Sequence, residues 1–202
     1  MKIFVCGDSF CVSDPDYGVN WVDLLSQEFN VINLSEVTAT NLLIAQQVDY
    51  AINEKATFII MQGTSCTRSE KRHNGKLVPF SYHTATTETT PFDESDLMVL
   101  KTYFTQFFDL ELSIYQNSIT IEHTLQKIAD SSIPFKFDQG GFEHLQFGSL
   151  RSDYFIKFNQ YRSEINLWDY THTRSYRPYY HITDPTIHKL VANYYATEIR
   201  NL

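Results

Sequence analysis

The sequence predicts a three-layer α/β/α sandwich built on a parallel five-stranded sheet. Short runs that are apolar throughout, such as Ile3 to Cys6 and Thr57 to Met61, alternate with longer segments whose apolar residues recur at helical spacing. A strand that is apolar on both faces must be covered on both faces, as in a parallel sheet between two helix layers. The 202 residues suffice for one such domain with a full core, and no internal repeat or domain boundary is visible.

The elements follow in order. Ile3 to Cys6 reads as a buried strand that ends at Gly7. Trp21, Leu24, Leu25 and Phe29 keep helical spacing, and Val31-Ile32-Asn33-Leu34 reads as a second strand. A helix is expected from about Thr40 to Asn53, with Ile44, Val48, Ala51 and Ile52 on one face, and then a third strand at Thr57 to Met61. Residues from about 64 to 92 are rich in Thr, Ser and charge and contain the Asn74-Gly75 turn; they read as a long insertion or lid loop. Leu97, Leu100, Phe104 and Phe107 resume helical spacing, with Asp93 or Ser95 as cap, and another helix is expected around Ile119 to Ala129. Ile133 to Phe137 reads as strand four and Ile165-Asn166-Leu167-Trp168 as strand five. The chain closes on Asp184 as N-cap, Pro185 at the first helical position, and a helix through Ile187, Leu190, Val191 and Tyr194.

Composition narrows the function classes. With 43% apolar and 15% aromatic residues, the chain buries enough surface to fold, which argues against disorder. A formal charge of −8 disfavours nucleic acid, and the best basic cluster (Arg68, Lys71, Arg72, His73, Lys76) reads as a solvated loop. No apolar run is long enough to span a bilayer, so no membrane role is expected. The sequence runs from Met1 directly into a strand and Gly-Asp-Ser, without the apolar core of a signal peptide. A cytoplasmic location is therefore expected, with Cys6, Cys11 and Cys66 as free thiols.

Ser9 is the first candidate for chemistry. It follows a strand at the carboxyl edge of the expected sheet, where binding crevices form. A serine nucleophile needs a base for its proton and donors for the developing oxyanion. The plain alternative is that Asp8 and Ser9 only turn the chain. At the other end, Tyr180-His181-Ile182-Thr183-Asp184-Pro185 places a histidine just before the last helix, and His188 follows on that helix.

Together these segments resemble the SGNH/GDSL hydrolases. Gly7-Asp8-Ser9-Phe10 resembles the first block of that family, Asn33 to Asn41 the second, Gln62-Gly63-Thr64-Ser65 the third, and His181 before the final helix the last. The resemblance spans the chain ends and the first three strand–turn units, and implies a flavodoxin-like sandwich. It implies a serine esterase with Ser9 as nucleophile and His181, in preference to His188, as base. Asp8, Thr38, Gly63, Ser65 and Arg68 are then expected around the oxyanion and the substrate, which would be an acyl or acetyl ester on a carbohydrate or small molecule. No metal or cofactor is expected: His172, His181 and His188 with Asp169 and Asp184 match no metal-binding spacing.

The chain departs from the family pattern at three places. Thr38 stands at the block-two glycine and keeps its backbone N–H, provided the turn tolerates a side chain. Ser65 stands at the block-three asparagine and offers one hydroxyl donor in place of an amide. Pro178 replaces the acid three residues before His181, which leaves Asp184, Asp169 or an acid-free Ser–His dyad. Cys66 beside the third block has no evident base, and Arg68 is either a ligand for a substrate anion or an exposed loop arginine. These departures, with the aromatic residues, also fit a second reading: an inactive binding protein on the same scaffold that recognises a glycan or protein partner. The style of the sequence is similar to small GDSL-like proteins of tailed bacteriophages, which would imply a virion or host-surface target.

Overall fold

The computed structural model describes residues 1–13, 18–81, 92–138, 158–165, 182 and 184–202. Its centre is a parallel sheet of four strands in the order β2-β1-β3-β6, formed by β1 (Lys2–Cys6), β2 (Asn30–Asn33), β3 (Phe58–Gln62) and β6 (Phe135–Asp138). A parallel bridge between Phe137 and Arg162 continues the order beyond β6, where a fifth strand is expected. Ile165 is buried there, while Asn166 to Asp169 lie outside the described residues.

Strand alternation builds the layers. Ile3 and Val5 of β1, with Phe58 and Ile60 of β3, point into one core, covered by α1 (Trp21–Ser26) and α5 (Pro185–Arg200). Phe4, Cys6, Ile59 and Met61 point into the other core, covered by α2 (Asn41–Asn53) and α4 (Leu110–Asp130). Every side chain of β3 is buried, which is why that strand carries no polar alternation. The chain is an α/β/α sandwich.

Caps set the helix starts where the sequence placed them. Thr40, Asp93 and Asp184 accept from backbone N–H groups at the starts of α2, α3 (Glu94–Thr102) and α5. Two segments differ from expectation. The stretch read as a loop contains an antiparallel hairpin of β4 (Ser69–His73) and β5 (Lys76–Phe80). Asn74 and Gly75 both have positive φ, 49° and 80°, which matches the two-residue turn of a tight hairpin. Two of its cations are engaged within the fold: Lys71 pairs with Asp96, and Arg72 donates to the Gly75 carbonyl at 3.1 Å. Phe80, Phe92 and Leu100 form a small separate core between the hairpin and α3. The second difference is α4, which starts at Leu110 rather than near Ile119 because Asp109 caps it there. Among the described residues, no helix is long and apolar enough to cross a membrane.

Candidate active site

The site is built at the carboxyl end of β1, beside β3. The chain leaves β1 into α1 on one face of the sheet and leaves β3 toward α4 on the other, so the two strand ends form a topological switch point, the place where binding crevices form in parallel sheets. Gly7 begins the turn because there is no room for a side chain: a Cβ would lie 2.9 Å from Cys11 Sγ and 3.2 Å from Gln62 Cβ. The Gln47 amide clamps the same residue, accepting from Gly7 N at 2.8 Å and donating to Gly7 O at 3.3 Å. Ser9 then opens a short 3-10 turn (Ser9–Cys11), with 9% of its surface exposed. The far end is held at the Phe10 carbonyl, which accepts from Asn20 Nδ2 at 3.2 Å and from the Trp21 indole at 3.0 Å.

Asp8 is the hub beneath the serine. Its Oδ1 accepts from Phe10 N at 3.0 Å, while Oδ2 accepts from the Thr64 hydroxyl at 2.6 Å and from Arg68 Nη1 at 3.0 Å. The same Nη1 donates to the Ala39 carbonyl at 2.9 Å. Thr64 is fixed in turn by Asn41, whose amide exchanges two bonds of 2.9 Å with the Thr64 backbone and donates to Asn117 Oδ1 at 2.7 Å. One buried network thus ties together the turns that follow β1, β2 and β3. The Asp8 side chain has no exposed surface, so it organises the site from below and does not meet a substrate. Arg68 is corrected on one of its two expectations. It is not an exposed loop arginine, since only 12% of its side chain is accessible, and its Nη1 is committed to Asp8 and Ala39.

The donors expected around an oxyanion separate on geometry. Gly63 is not one of them, because its N–H already donates to the Asp138 carbonyl at 2.8 Å. Thr38 has φ 66°, in the left-handed region that favours glycine. Its hydroxyl donates to the Val37 carbonyl at 2.6 Å, and its N–H has no partner among the described residues. The Ser65 hydroxyl accepts from Thr67 N at 3.2 Å and lies 2.8 Å from the Thr67 hydroxyl. It can donate to a third group when the Thr67 hydroxyl donates to it.

His181 lies outside the described residues, as do His172 and Asp169. Asp184 caps α5, accepting from Thr186 N at 2.9 Å and the Thr186 hydroxyl at 2.7 Å. His188 is buried, with Nε2 3.0 Å from the Ile182 carbonyl and Nδ1 without a hydrogen-bond partner among the described residues. Burial lowers its pKa below the ordinary histidine value. The three thiols are buried and carry no disulfide, and burial pushes those of Cys6 and Cys11 far up, so both stay protonated and inert. The described residues contain no group of three or more His, Cys, Asp or Glu side chains arranged to hold a metal.

Sequence reasoning did not reach Asn41, Gln47, Gln62 or Thr64 as structural members of the site. The available signal was polarity in an apolar setting. Gln47 interrupts the buried face of α2 between Ile44 and Val48, and Gln62 ends a strand that is otherwise wholly apolar.

Comparison with known proteins places the architecture. No family model matches the chain, and no curated protein matches its sequence. Among solved structures, it superposes on the psychrotrophic esterase EstA from Pseudoalteromonas sp., in a structure inhibited by monoethylphosphonate. The TM-score is 0.58 at 11% identity, over 99% of this chain and 97% of the other. The chain shares the fold of a bacterial esterase. The esterase-type sandwich extends along nearly the full length of both chains, and at this identity it is the fold alone that is common to them.

Proposed function

We propose that the chain is a divergent SGNH/GDSL-type serine hydrolase that cleaves an ester, an acyl or acetyl group on a small molecule or carbohydrate. The observation that carries this reading is the backbone at Thr38. A β-branched residue rarely adopts positive φ, yet Thr38 does so where the family resemblance calls for glycine. The side chain has changed while the turn, and with it the backbone donor, is kept. The network from Asp8 to Thr64 and Arg68 supports the same reading, because it fixes three turns around Ser9.

In this mechanism Ser9 Oγ attacks the ester carbonyl while His181 takes its proton. The tetrahedral oxyanion is held by the backbone N–H groups of Ser9 and Thr38 and by the Ser65 hydroxyl. Collapse expels the alcohol, protonated by His181, and leaves an acyl group on Ser9. Water then attacks the acyl carbonyl, giving up a proton to His181, and the acid is released as that proton returns to Ser9. Asp184 is the nearest carboxylate in sequence to the base and is also the helix cap, so its two roles need separate variants.

The second reading, an inert scaffold that binds a glycan or protein, is favoured by the Ser65 hydroxyl being tied to Thr67 and by the Gly63 N–H being engaged. Hydrolysis of p-nitrophenyl acetate separates the two. The esterase reading expects turnover that disappears in Ser9→Ala; turnover absent from the wild type leaves the binding scaffold, and turnover unchanged in that variant removes Ser9 as the nucleophile.

A further inference from the structure

The turn from Glu36 to Ala39 closes with Ala39 N donating to the Glu36 carbonyl at 3.1 Å, so Thr38 occupies the third position. With φ 66°, this is a conformation that turns ordinarily give to glycine. A threonine there relaxes toward negative φ unless its surroundings prevent it. Both ends of the turn are fastened to the Ser9 turn. At the entry, Glu36 N donates to the Gly7 carbonyl at 3.3 Å. At the exit, the Ala39 carbonyl accepts from Arg68 Nη1, and the same nitrogen is held by Asp8, the residue before Ser9.

We infer that Arg68 is a positioning residue: by bridging Asp8 and the Ala39 carbonyl, it holds Thr38 in the left-handed conformation and so fixes the direction of the Thr38 N–H. A guanidinium suits this task because its hydrogens are rigidly placed and its charge is permanent. Burial of the pair strengthens the clamp, since Asp8 is fully enclosed and Arg68 nearly so. The conformational part stands on geometry alone, whereas its effect on reactivity rests on the proposed hydrolase function.

A cycle of four proteins tests it: wild type, Thr38→Gly, Arg68→Met and the double variant, with Arg68→Lys replacing Arg68→Met if the latter does not fold. Thermal unfolding is the first readout. Thr38→Gly in the wild-type background is expected to raise Tm by roughly 2–4 °C through relief of strain. In the Arg68 variant the gain is expected to be less than half as large, because the freed turn has already relaxed. The second readout is the rate at which a fluorophosphonate labels the protein. Arg68→Met is expected to slow labelling by about a hundredfold, as misplacement of a donor by an ångström does. Adding Thr38→Gly is expected to recover most of that loss, since glycine takes positive φ without being held. Equal Tm gains in the two backgrounds would overturn the inference. So would the absence of recovery in a wild type that labels. A wild type that does not label defeats the hydrolase function instead, and the Tm comparison still decides whether Arg68 holds the turn.

Discussion

Asp8 shows how a sequence motif divides between chemistry and support. In Gly-Asp-Ser the serine was the residue of interest, and the aspartate could have been only a turn former. Its carboxylate instead gathers Phe10 N, Thr64 and Arg68. Replacing it with Asn leaves a guanidinium buried without its counter-ion, and Asp8→Asn is expected to lose about 3–5 kcal/mol in urea unfolding. A loss below about 1 kcal/mol would mean that the pair lies effectively in water. Gly7→Ala is expected to cost about 1–3 kcal/mol, because the new methyl meets Cys11 Sγ and Gln62 Cβ. Asp184 is resolved by keeping the cap while removing the charge. Asp184→Ser is expected to stay within a few tenths of a kcal/mol of wild type, whereas Asp184→Ala loses about 1 kcal/mol. Esterase activity retained in Asp184→Ser marks a cap alone; activity lost with stability intact marks the triad acid.

At the scale of elements, legibility followed the strength of local signals. The starts of α2, α3 and α5 were readable because Thr40, Asp93 and Asp184 are caps with nearby apolar periodicity. The true start of α4 was not, because Leu110, Leu112, Tyr115 and Ile119 place apolar residues on its wet face while Ser113 and Ser118 lie on its buried face. The hairpin was hidden for a related reason. Ser69 to His73 has no apolar alternation, and only Asn74-Gly75 announced a turn. Within α5, His188 makes the helix start sensitive to pH. Burial lowers its pKa, while its bond to Ile182 and the charges of Asp184 and Asp23 act in the opposite direction with smaller effect. The folded chain therefore favours the neutral ring, and the unfolded chain takes up a proton near its ordinary pKa of 6.5. The stabilisation is present in full above that pH and declines as pH falls through it toward the folded value. Urea midpoints are expected to drop between pH 7.5 and 5.5 in the wild type and to drop less in His188→Gln. An equal drop in both would assign the pH dependence to other groups.

Across the whole molecule, the sandwich was legible because apolar strands and amphipathic helices alternate along the chain, and the two cores are built from those residues. The position of Ser9 was legible because a residue directly after the first strand of a parallel sheet lies at the carboxyl edge. The couplings beneath it were not. Asp8 and Arg68 are far apart in sequence, and neither spacing nor periodicity brings their side chains together. The fold shared with a bacterial esterase gives the architecture alone, and the proposed function rests on Ser9 acting as the nucleophile at its edge. The most direct test of that claim is intact-mass and peptide-mapping analysis after incubation with a fluorophosphonate. The expected result is one phosphonyl adduct on the peptide that carries Ser9, absent in Ser9→Ala. A wild type that takes up no adduct, or carries it at another residue, would contradict the assignment of Ser9 as the nucleophile.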